Sequence, residues 1–273
     1  MRIALLTLEG LAAAAAVRRF VVSHPERIAV VGLSNAFRGA HGGMISQVWR
    51  YLSRTPLSFL PYLAINFMVP RVSRLVWALH RRGGPERTPL DVTCARLGIP
   101  VVRIDDVNAP VTQRALTAHG AALAVSFHFD KILSAETIGL FPQGGINVHA
   151  GLLPLHRGPV PTLHALLDDA PRFGVTVHRL SPRIDAGAIL AQTALDLPPS
   201  TSALAAAMAL HHAALPLLEQ TLAAIGRGPV EERVVEIARY CGFPTRPQMR
   251  ALSRRGRRAA DRHDFVAALG TPV

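Results

Sequence analysis

Short apolar runs alternate with helix-length segments through the first third of the chain, and again after residue 100. The segments 2–8 (RIALLTL) and 27–34 (RIAVVGLS) have the length and composition of buried strands, and residues 11–20 between them have helical character. The runs 101–104, 122–127 and 144–150 continue the pattern. Apolar strands separated by helices predict a parallel sheet that is covered on both faces.

Two further strand candidates, 176–180 and 188–193, are expected at the edge of this sheet. Residues 202–225 predict one long helix that ends at Gly226 and Gly228. We therefore predict an α/β fold with a doubly wound, mostly parallel, Rossmann-like sheet, and such sheets bind ligands beyond the carboxyl ends of their strands. The main domain is expected over 1–228, followed by a short, arginine-rich C-terminal appendage over 229–273.

A predicted helical insertion at 44–82 interrupts this alternation. Its centre, 57–69, is nearly free of polar groups, but it is too short and too rich in proline to span a membrane, which takes about 20 apolar residues. Trp49, Trp77 and the flanking arginines suit a helix pair that lies in a membrane interface, with contact through 57–82. We favour the alternative, a helical hairpin packed on the sheet or in a homodimer interface, because exposed apolar surfaces are rarer than buried ones.

Almost half of the 273 residues are apolar (49%), which predicts a folded protein with a sizeable core. The two cysteines, Cys94 and Cys241, lie far apart and show no metal or redox spacing. This favours a reducing, cytoplasmic environment, at the inner face of the membrane if the insertion meets lipid. Because a helix and a second strand follow the apolar start, we interpret that start as part of the fold and not as a cleaved leader.

The formal net charge of +12 raises the question of nucleic-acid binding. All but one of the 30 basic residues are arginine, the exception being Lys131, and this bias, in a chain rich in alanine, also fits compositional drift. A group of arginines near the C-terminal end could meet an anionic substrate, phosphate or a membrane, or form a solvated tail. They are Arg246, Arg250, Arg254, Arg255, Arg257, Arg258 and Arg262.

An amide and an imidazole lie next but one to each other in the predicted strand GINVHAG. Alternate strand residues share a face, so Asn147 and His149 project together while Ile146 and Val148 pack on the other side. The amide can donate a hydrogen bond to a developing oxyanion, and the imidazole can accept a proton from an attacking nitrogen. The pair suits acyl transfer to an amine, although a strand-end histidine alone is more often structural.

The next segment, GLLPLHRGPVP at 151–161, starts with glycine and contains three prolines, which predicts a rigid loop that cradles a ligand. A later strand (GVTVHRL) then runs into SPRIDAG, where Asp185 precedes Ala-Gly. An aspartate beside a histidine can hold its tautomer and raise its basicity. We predict substrate contacts at Leu152, Leu153, Pro154, Arg157 and Gly158.

Taken together, NVH, GLLP, HRG, GVTVH and IDAG in this order resemble the folate-dependent formyltransferase domain. That domain is shared by methionyl-tRNA, glycinamide ribonucleotide and amino-sugar formyltransferases. The resemblance covers about 95–195 strongly and implies a catalytic set of Asn147, His149 and Asp185. It also implies 10-formyltetrahydrofolate as donor, no metal, and a small primary amine as acceptor.

Two loops match the family's pterin-binding positions. By this resemblance the donor contacts Lys131, Ile132, Leu133, Ser181, Pro182, Arg183, Ile184 and Asp185. Residues around SFHFDKIL and PRIDAGAILAQ look closest to sugar N-formyltransferases, which implies an amino-sugar acceptor that is nucleotide- or lipid-linked. The chain departs from the family at Gly151, where serine is usual, at Pro159 and in the insertion.

The sequence also bears on several other classes of protein. The lack of Gly-x-Ser-x-Gly argues against a serine hydrolase, and no histidine cluster has metal-ligand spacing. A phosphate loop is excluded because Gly-x-x-x-x-Gly-Lys is missing. Within the family, a formyltetrahydrofolate hydrolase, a methionyl-tRNA formyltransferase that binds tRNA, and a degenerate folate- or membrane-binding module stay open as alternatives.

Overall fold

The computed structural model describes residues 1–34, 56–80, 84, 87–236 and 239–273. Its centre is a seven-stranded sheet with the order β3-β2-β1-β4-β5-β6-β7. The strands are β1 Ile3–Thr7, β2 Ile28–Ser34, β3 Val101–Ile104, β4 Leu123–Phe127, β5 Gly145–His149, β6 Phe173–Arg179 and β7 Ile189–Leu195. These bounds agree with the predicted strands to within a few residues, and the predicted α/β class is confirmed.

Strand direction changes inside the sheet. The first five strands in spatial order are parallel, whereas β6 pairs antiparallel with β5, and β7 pairs antiparallel with β6. The order reverses between β1 and β4, which is where open sheets of this kind form a crevice. The two antiparallel strands at the edge bring the hairpin between them close to β5.

Helices cover both faces of the sheet. They are α1 Leu11–Ser23, α2 Leu60–Leu63, α3 Val69–His80, α4 Leu90–Arg96, α5 Pro110–Thr117, α6 Ala135–Gly139, α7 Pro161–Ala165, α8 Ala203–Arg227, α9 Arg246–Arg254 and α10 Arg262–Leu269. The larger core lies between the sheet and the pair α1 and α8, and a smaller one lies under α5. The predicted long helix is α8, which starts at the Ser202 cap and ends at Gly228.

The described part of the predicted insertion is helical throughout. A 3₁₀ turn at Leu57–Phe59 leads into α2, then into a π-helical turn at Ala64–Met68, and then into α3. In the apolar stretch 57–69, Phe59, Tyr62 and Asn66 are buried, whereas Leu57 and Met68 are exposed. The Asn66 side chain accepts a hydrogen bond from the Ala12 amide (2.9 Å), so the insertion caps the start of α1. Residues 44–55 and the end of the insertion lie outside the described residues.

The C-terminal residues pack on the main body as two short helices. Met249, Leu252 and Ala268 are buried in the larger core, and Asp264 of α10 accepts a hydrogen bond from the Ser202 hydroxyl (2.7 Å). Two of the clustered arginines also hold the loop after α7. Arg257 donates to the carbonyl oxygens of 166, 168 and 169, and Arg255 pairs with Asp169 (2.7 Å). At least part of this basic cluster therefore serves the fold, and the boundary at 228 stays a prediction.

Candidate active site

Strand β5 carries the predicted amide and imidazole. Ile146 and Val148 point into the larger core, so Asn147 and His149 project from the opposite face. On the antiparallel neighbour β6, His178 lies opposite Asn147 and Thr176 lies opposite His149. Four polar side chains are thus placed side by side over two strands.

Asp185 reaches this group from the hairpin between β6 and β7. The hairpin leaves the sheet level with the start of β5 and folds back over it, with Asp185 at a positive φ of 46°. The Asp185 carboxylate lies 3.6 Å from His149 Nδ1 and 3.3 Å from Asn147 Nδ2. It also accepts a hydrogen bond from the backbone amide of Gly158 (3.0 Å). The structure therefore brings together the three residues that the sequence predicted to be catalytic.

His178 is a member of the cluster that the sequence analysis missed. Its Nε2 lies 3.0 Å from Asn147 Nδ2 and 3.6 Å from the Asp185 carboxylate. Its Nδ1 faces the carbonyl oxygen of Arg179 at 2.8 Å, so Nδ1 carries the proton and Nε2 accepts from the amide. The motif GVTVH contained this residue, but only the antiparallel register shows that it faces Asn147.

Burial and charge set the protonation states of the central pair. Burial lowers the pKa of His149, against the opposing effect of the nearby Asp185 carboxylate. The pKa of Asp185 is lowered although burial raises it, because His149 and the Gly158 amide favour the charged carboxylate. At neutral pH the site thus contains a neutral imidazole beside an ionised carboxylate.

The two nitrogens of His149 have different surroundings. Nδ1 faces Asp185, which assigns the ring proton to Nδ1 and leaves the lone pair on Nε2. Nε2 is buried, and the ring also lies near the His156 backbone, which favours the charged form of the imidazole. A Cβ atom at Gly151 would lie 2.9 Å from Nε2 and 2.9 Å from Pro161 Cβ, so the His149 ring packs directly against the glycine backbone.

The predicted substrate loop, 151–158, is tied down at its base by buried Thr176. The Thr176 hydroxyl donates to the Gly151 carbonyl (2.7 Å) and accepts from the Leu153 amide (3.1 Å). Gln192 Nε2 donates to both Thr176 Oγ1 and the Leu153 carbonyl, at 2.8 Å each. The peptide bond between Leu153 and Pro154 is cis. This anchoring fits the rigid loop that its glycine and prolines predicted.

The far end of the loop is held by a segment from beyond α8. The Cys241 amide donates to the Arg157 carbonyl (2.7 Å), and the Arg157 guanidinium lies 5.7 Å from the centre of the Tyr240 ring. Gly158 has a positive φ of 139°, and a Cβ there would lie 2.0 Å from the Cys241 carbonyl oxygen. Only glycine fits this position, and the close packing keeps its amide directed at Asp185.

The predicted donor-binding residues occupy two separate loops with different exposure. After β4, Lys131 pairs with Asp130 (3.2 Å), Ile132 is half exposed, and the Leu133 side chain is buried in the smaller core. In the hairpin, Ser181 donates to the Arg183 carbonyl (2.8 Å). Pro182 and Arg183 are exposed, while Ile184 is partly buried. Leu133 can therefore offer a ligand only its backbone, and the donor contacts stay a prediction.

A row of rings extends from the insertion towards α8. The Phe67 ring stacks on His128 (6.3 Å between centres), and His128 meets His211 edge to face (5.3 Å). Burial lowers the pKa of His128, and burial with the nearby His128 lowers that of His211 to about 3. Both rings are neutral at neutral pH. Within the described ranges, no group of three or more histidine, cysteine or acidic side chains is placed to hold a metal ion.

Residues 103–222 match the protein family described as formyl transferase. This segment is a formyl transferase domain. It contains Asn147, His149 and Asp185, the loop that follows β5 and most of α8. The family and the class of enzyme predicted from the motifs are thereby confirmed for this part of the chain.

Solved formyltransferase structures share the fold over 86–98% of this chain. A sugar N-formyltransferase from a Shewanella species is 15% identical with a TM-score of 0.55, over 98% of this chain and 88% of that one. Glycinamide ribonucleotide transformylase 1 from Symbiobacterium toebii is 17% identical with a TM-score of 0.56, over 86% and 94%. An N-formyltransferase from Helicobacter canadensis, in complex with folinic acid and dTDP-3-aminofucose, is 14% identical with a TM-score of 0.55, over 89% and 71%. These likenesses establish the fold of the formyl transferase domain.

Proposed function

We propose that this formyltransferase moves the formyl group of 10-formyltetrahydrofolate to the primary amine of an amino sugar. The observation that carries the proposal is the buried pair of His149 and Asp185, whose charge states suit a general base. The basic nitrogen of His149 is the one that is directed away from Asp185. An attacking amine placed against that nitrogen would meet a proton acceptor.

The reaction balances with one proton passing through His149. The amine nitrogen attacks the formyl carbon, a new C–N bond forms, and the bond from that carbon to N10 of the folate breaks. The electron pair of the broken bond returns to N10, which takes up a proton. Since the amine must lose one proton, His149 Nε2 can accept it and pass it to N10. The adjacent Asp185 carboxylate stabilises the imidazolium that forms between these two transfers.

Asn147 is proposed to stabilise the oxyanion, but its amide can do so only after it gives up one of its present hydrogen bonds. Both protons of its amide are engaged, one by His178 Nε2 and one by the Asp185 carboxylate. The contact with Asp185 is the longer of the two, at 3.3 Å. We infer that substrate binding replaces this contact, so that the amide donates to the oxyanion while His178 continues to hold it.

The choice of donor and acceptor rests on the motifs, with support from the fold. The Helicobacter canadensis structure contains a folate and an amino-sugar nucleotide, which fits this proposal, although glycinamide ribonucleotide transformylases share the fold equally well. The described part of 229–273 forms two short helices packed on the core. An amino sugar stays ahead of tRNA as the proposed acceptor because SFHFDKIL and PRIDAGAILAQ resemble the sugar N-formyltransferases, and a homodimer stays a prediction.

The test is a set of reactions with 10-formyltetrahydrofolate and candidate amines, including amino-sugar nucleotides, glycinamide ribonucleotide and methionyl-tRNA. An amino-sugar product heavier by the mass of CO would support the proposal. Formylation of only another amine would overturn the acceptor, and release of formate without an amine would indicate a hydrolase. His149→Ala and Asp185→Asn should lower turnover by about 10²–10⁴-fold. His263→Ala, on an exposed side chain, is the control.

A further inference from the structure

An apolar stripe runs along the outer face of α3. Met68, Val72, Leu75, Val76 and Leu79 follow helical spacing, and each exposes more than half of its surface, from 55% at Val76 to 83% at Leu79. The neighbouring helix α10 adds three exposed apolar side chains, Phe265, Val266 and Leu269. The two helices pack together, and the Ser73 hydroxyl of α3 donates to the Leu269 carbonyl (2.5 Å). A single surface thus collects eight large apolar side chains.

The chain that carries this surface has a formal net charge of +12. Of the two arginines of α3, Arg74 pairs with Asp91 (2.9 Å) and Arg71 is partly buried. On α10 the first two side chains, Arg262 and His263, are exposed, whereas its one acidic residue, Asp264, is buried and bound by Ser202. The surface therefore combines exposed aliphatic and aromatic groups with the exposed Arg262 and His263, on a chain of positive net charge.

We propose that the surface of α3 and α10 binds the interface of a membrane that contains anionic phospholipid. Helices of this composition lie in the plane of a bilayer, with apolar side chains among the acyl chains and cations at the headgroups. Among the described residues, no helix is long and apolar enough to cross a membrane, and the α3 stretch of 12 residues suits in-plane binding. A second copy fits less well, because a two-fold contact would bring together two chains that each carry a formal net charge of +12.

The exposed apolar surface does not coincide with the most apolar stretch of the sequence. Residues 57–69 are the most apolar, yet Phe59 and Tyr62 are buried in the larger core. The exposed face belongs to α3 and includes α10, which is distant in sequence. A lipid surface on these two helices is independent of the chemistry proposed at His149.

The test is cosedimentation of the full chain with vesicles of phosphatidylcholine, with and without phosphatidylglycerol. The wild type should sediment with the anionic vesicles, and less so as salt is raised. Leu75→Ser combined with Leu79→Ser should lower the bound fraction at least tenfold. Val111→Ser combined with Val234→Ser removes equally exposed apolar groups elsewhere and should leave binding unchanged.

A second pair, Val266→Ser with Leu269→Ser, tests α10 separately and replaces the first pair if circular dichroism shows that it fails to fold. The proposal is overturned if the wild type ignores both vesicles, or if the α3 and α10 variants bind as well as it does. Light scattering of the same samples distinguishes the rival occupant. A wild-type dimer that becomes monomeric in the variants, without vesicle binding, would assign the surface to a second copy.

Discussion

Thr176 links the fold to the site through one hydroxyl group, and its removal tests this part of the structure. The side chain is fully buried, and its hydroxyl uses its one donor and both acceptor positions, on the Gly151 carbonyl, the Leu153 amide and Gln192. Thr176→Val keeps the branched shape and the preference for a strand but removes all three bonds. It leaves two backbone groups of the loop buried without a partner.

The expected loss of stability follows from these two groups. Each unpaired buried backbone group costs about 1–3 kcal/mol, so Thr176→Val should lower the free energy of unfolding by about 3 kcal/mol. Thr176→Ser is the matched control, since it keeps the hydroxyl and loses one methyl group, at about 1 kcal/mol. We therefore predict that the valine variant has a lower free energy of unfolding than the serine variant.

Urea unfolding followed by circular dichroism measures both variants on one scale. Turnover under saturating substrate should fall further for valine than for serine, because the freed segment carries the substrate loop next to His149. If valine proved as stable as serine, the three hydrogen bonds would not hold the loop, and the anchoring inferred here would be wrong.

Three further perturbations address neighbouring features. Gly158→Ala should lower turnover, measured by steady-state kinetics, at least tenfold. The added Cβ would lie 2.0 Å from the Cys241 carbonyl oxygen and so displace the Gly158 amide, which donates to Asp185. Gly151→Ser should shift the lower limb of the kcat–pH profile and lower kcat more than it changes KM, because its Cβ would lie 2.9 Å from His149 Nε2. His211→Phe should flatten the acid side of the stability–pH curve, measured by urea unfolding between pH 7 and 5.

The sign of the His211 effect follows from its pKa of about 3 in the folded chain. The unfolded chain takes up a proton below about pH 6.5 and the folded chain does not, so the wild type loses about 2 kcal/mol from this group by pH 5. His263→Phe, at an exposed position, should leave that slope unchanged. Gly226→Ala, with open space around its Cβ, is the control for both glycine variants. Wild-type kinetics in either glycine variant, or a wild-type slope of stability against pH in His211→Phe, would contradict these expectations.

Much of the fold was predictable because each strand has its own apolar run. The seven strands and the long helix α8 appear near their predicted positions. The direction of β6 was not predictable, since an apolar strand has the same pattern whether it pairs parallel or antiparallel. The role of His178 was missed for that reason, because it depends on the register with Asn147.

The candidate site could also be predicted only in part. Asn147, His149 and Asp185 could be named from motif order and spacing. The Gly158 amide, the Thr176 hydroxyl and the Cys241 carbonyl could not, because contacts between residues distant in sequence create their roles. The exposed face of α3 could not be predicted either, since composition alone does not show which apolar residues of 57–80 are buried in the core.

The helical segment 56–80 has a consequence for anyone who shortens or recombines this chain. Asn66 closes the start of α1, Phe67 covers both Gly10 and the His128 ring, and Phe59 fills the larger core. Removing residues 56–80 would take away the Asn66 contact at the start of α1 and uncover the His128 ring. The segment is therefore part of the packed domain, and chimaeras that exchange this half of the sheet must include it.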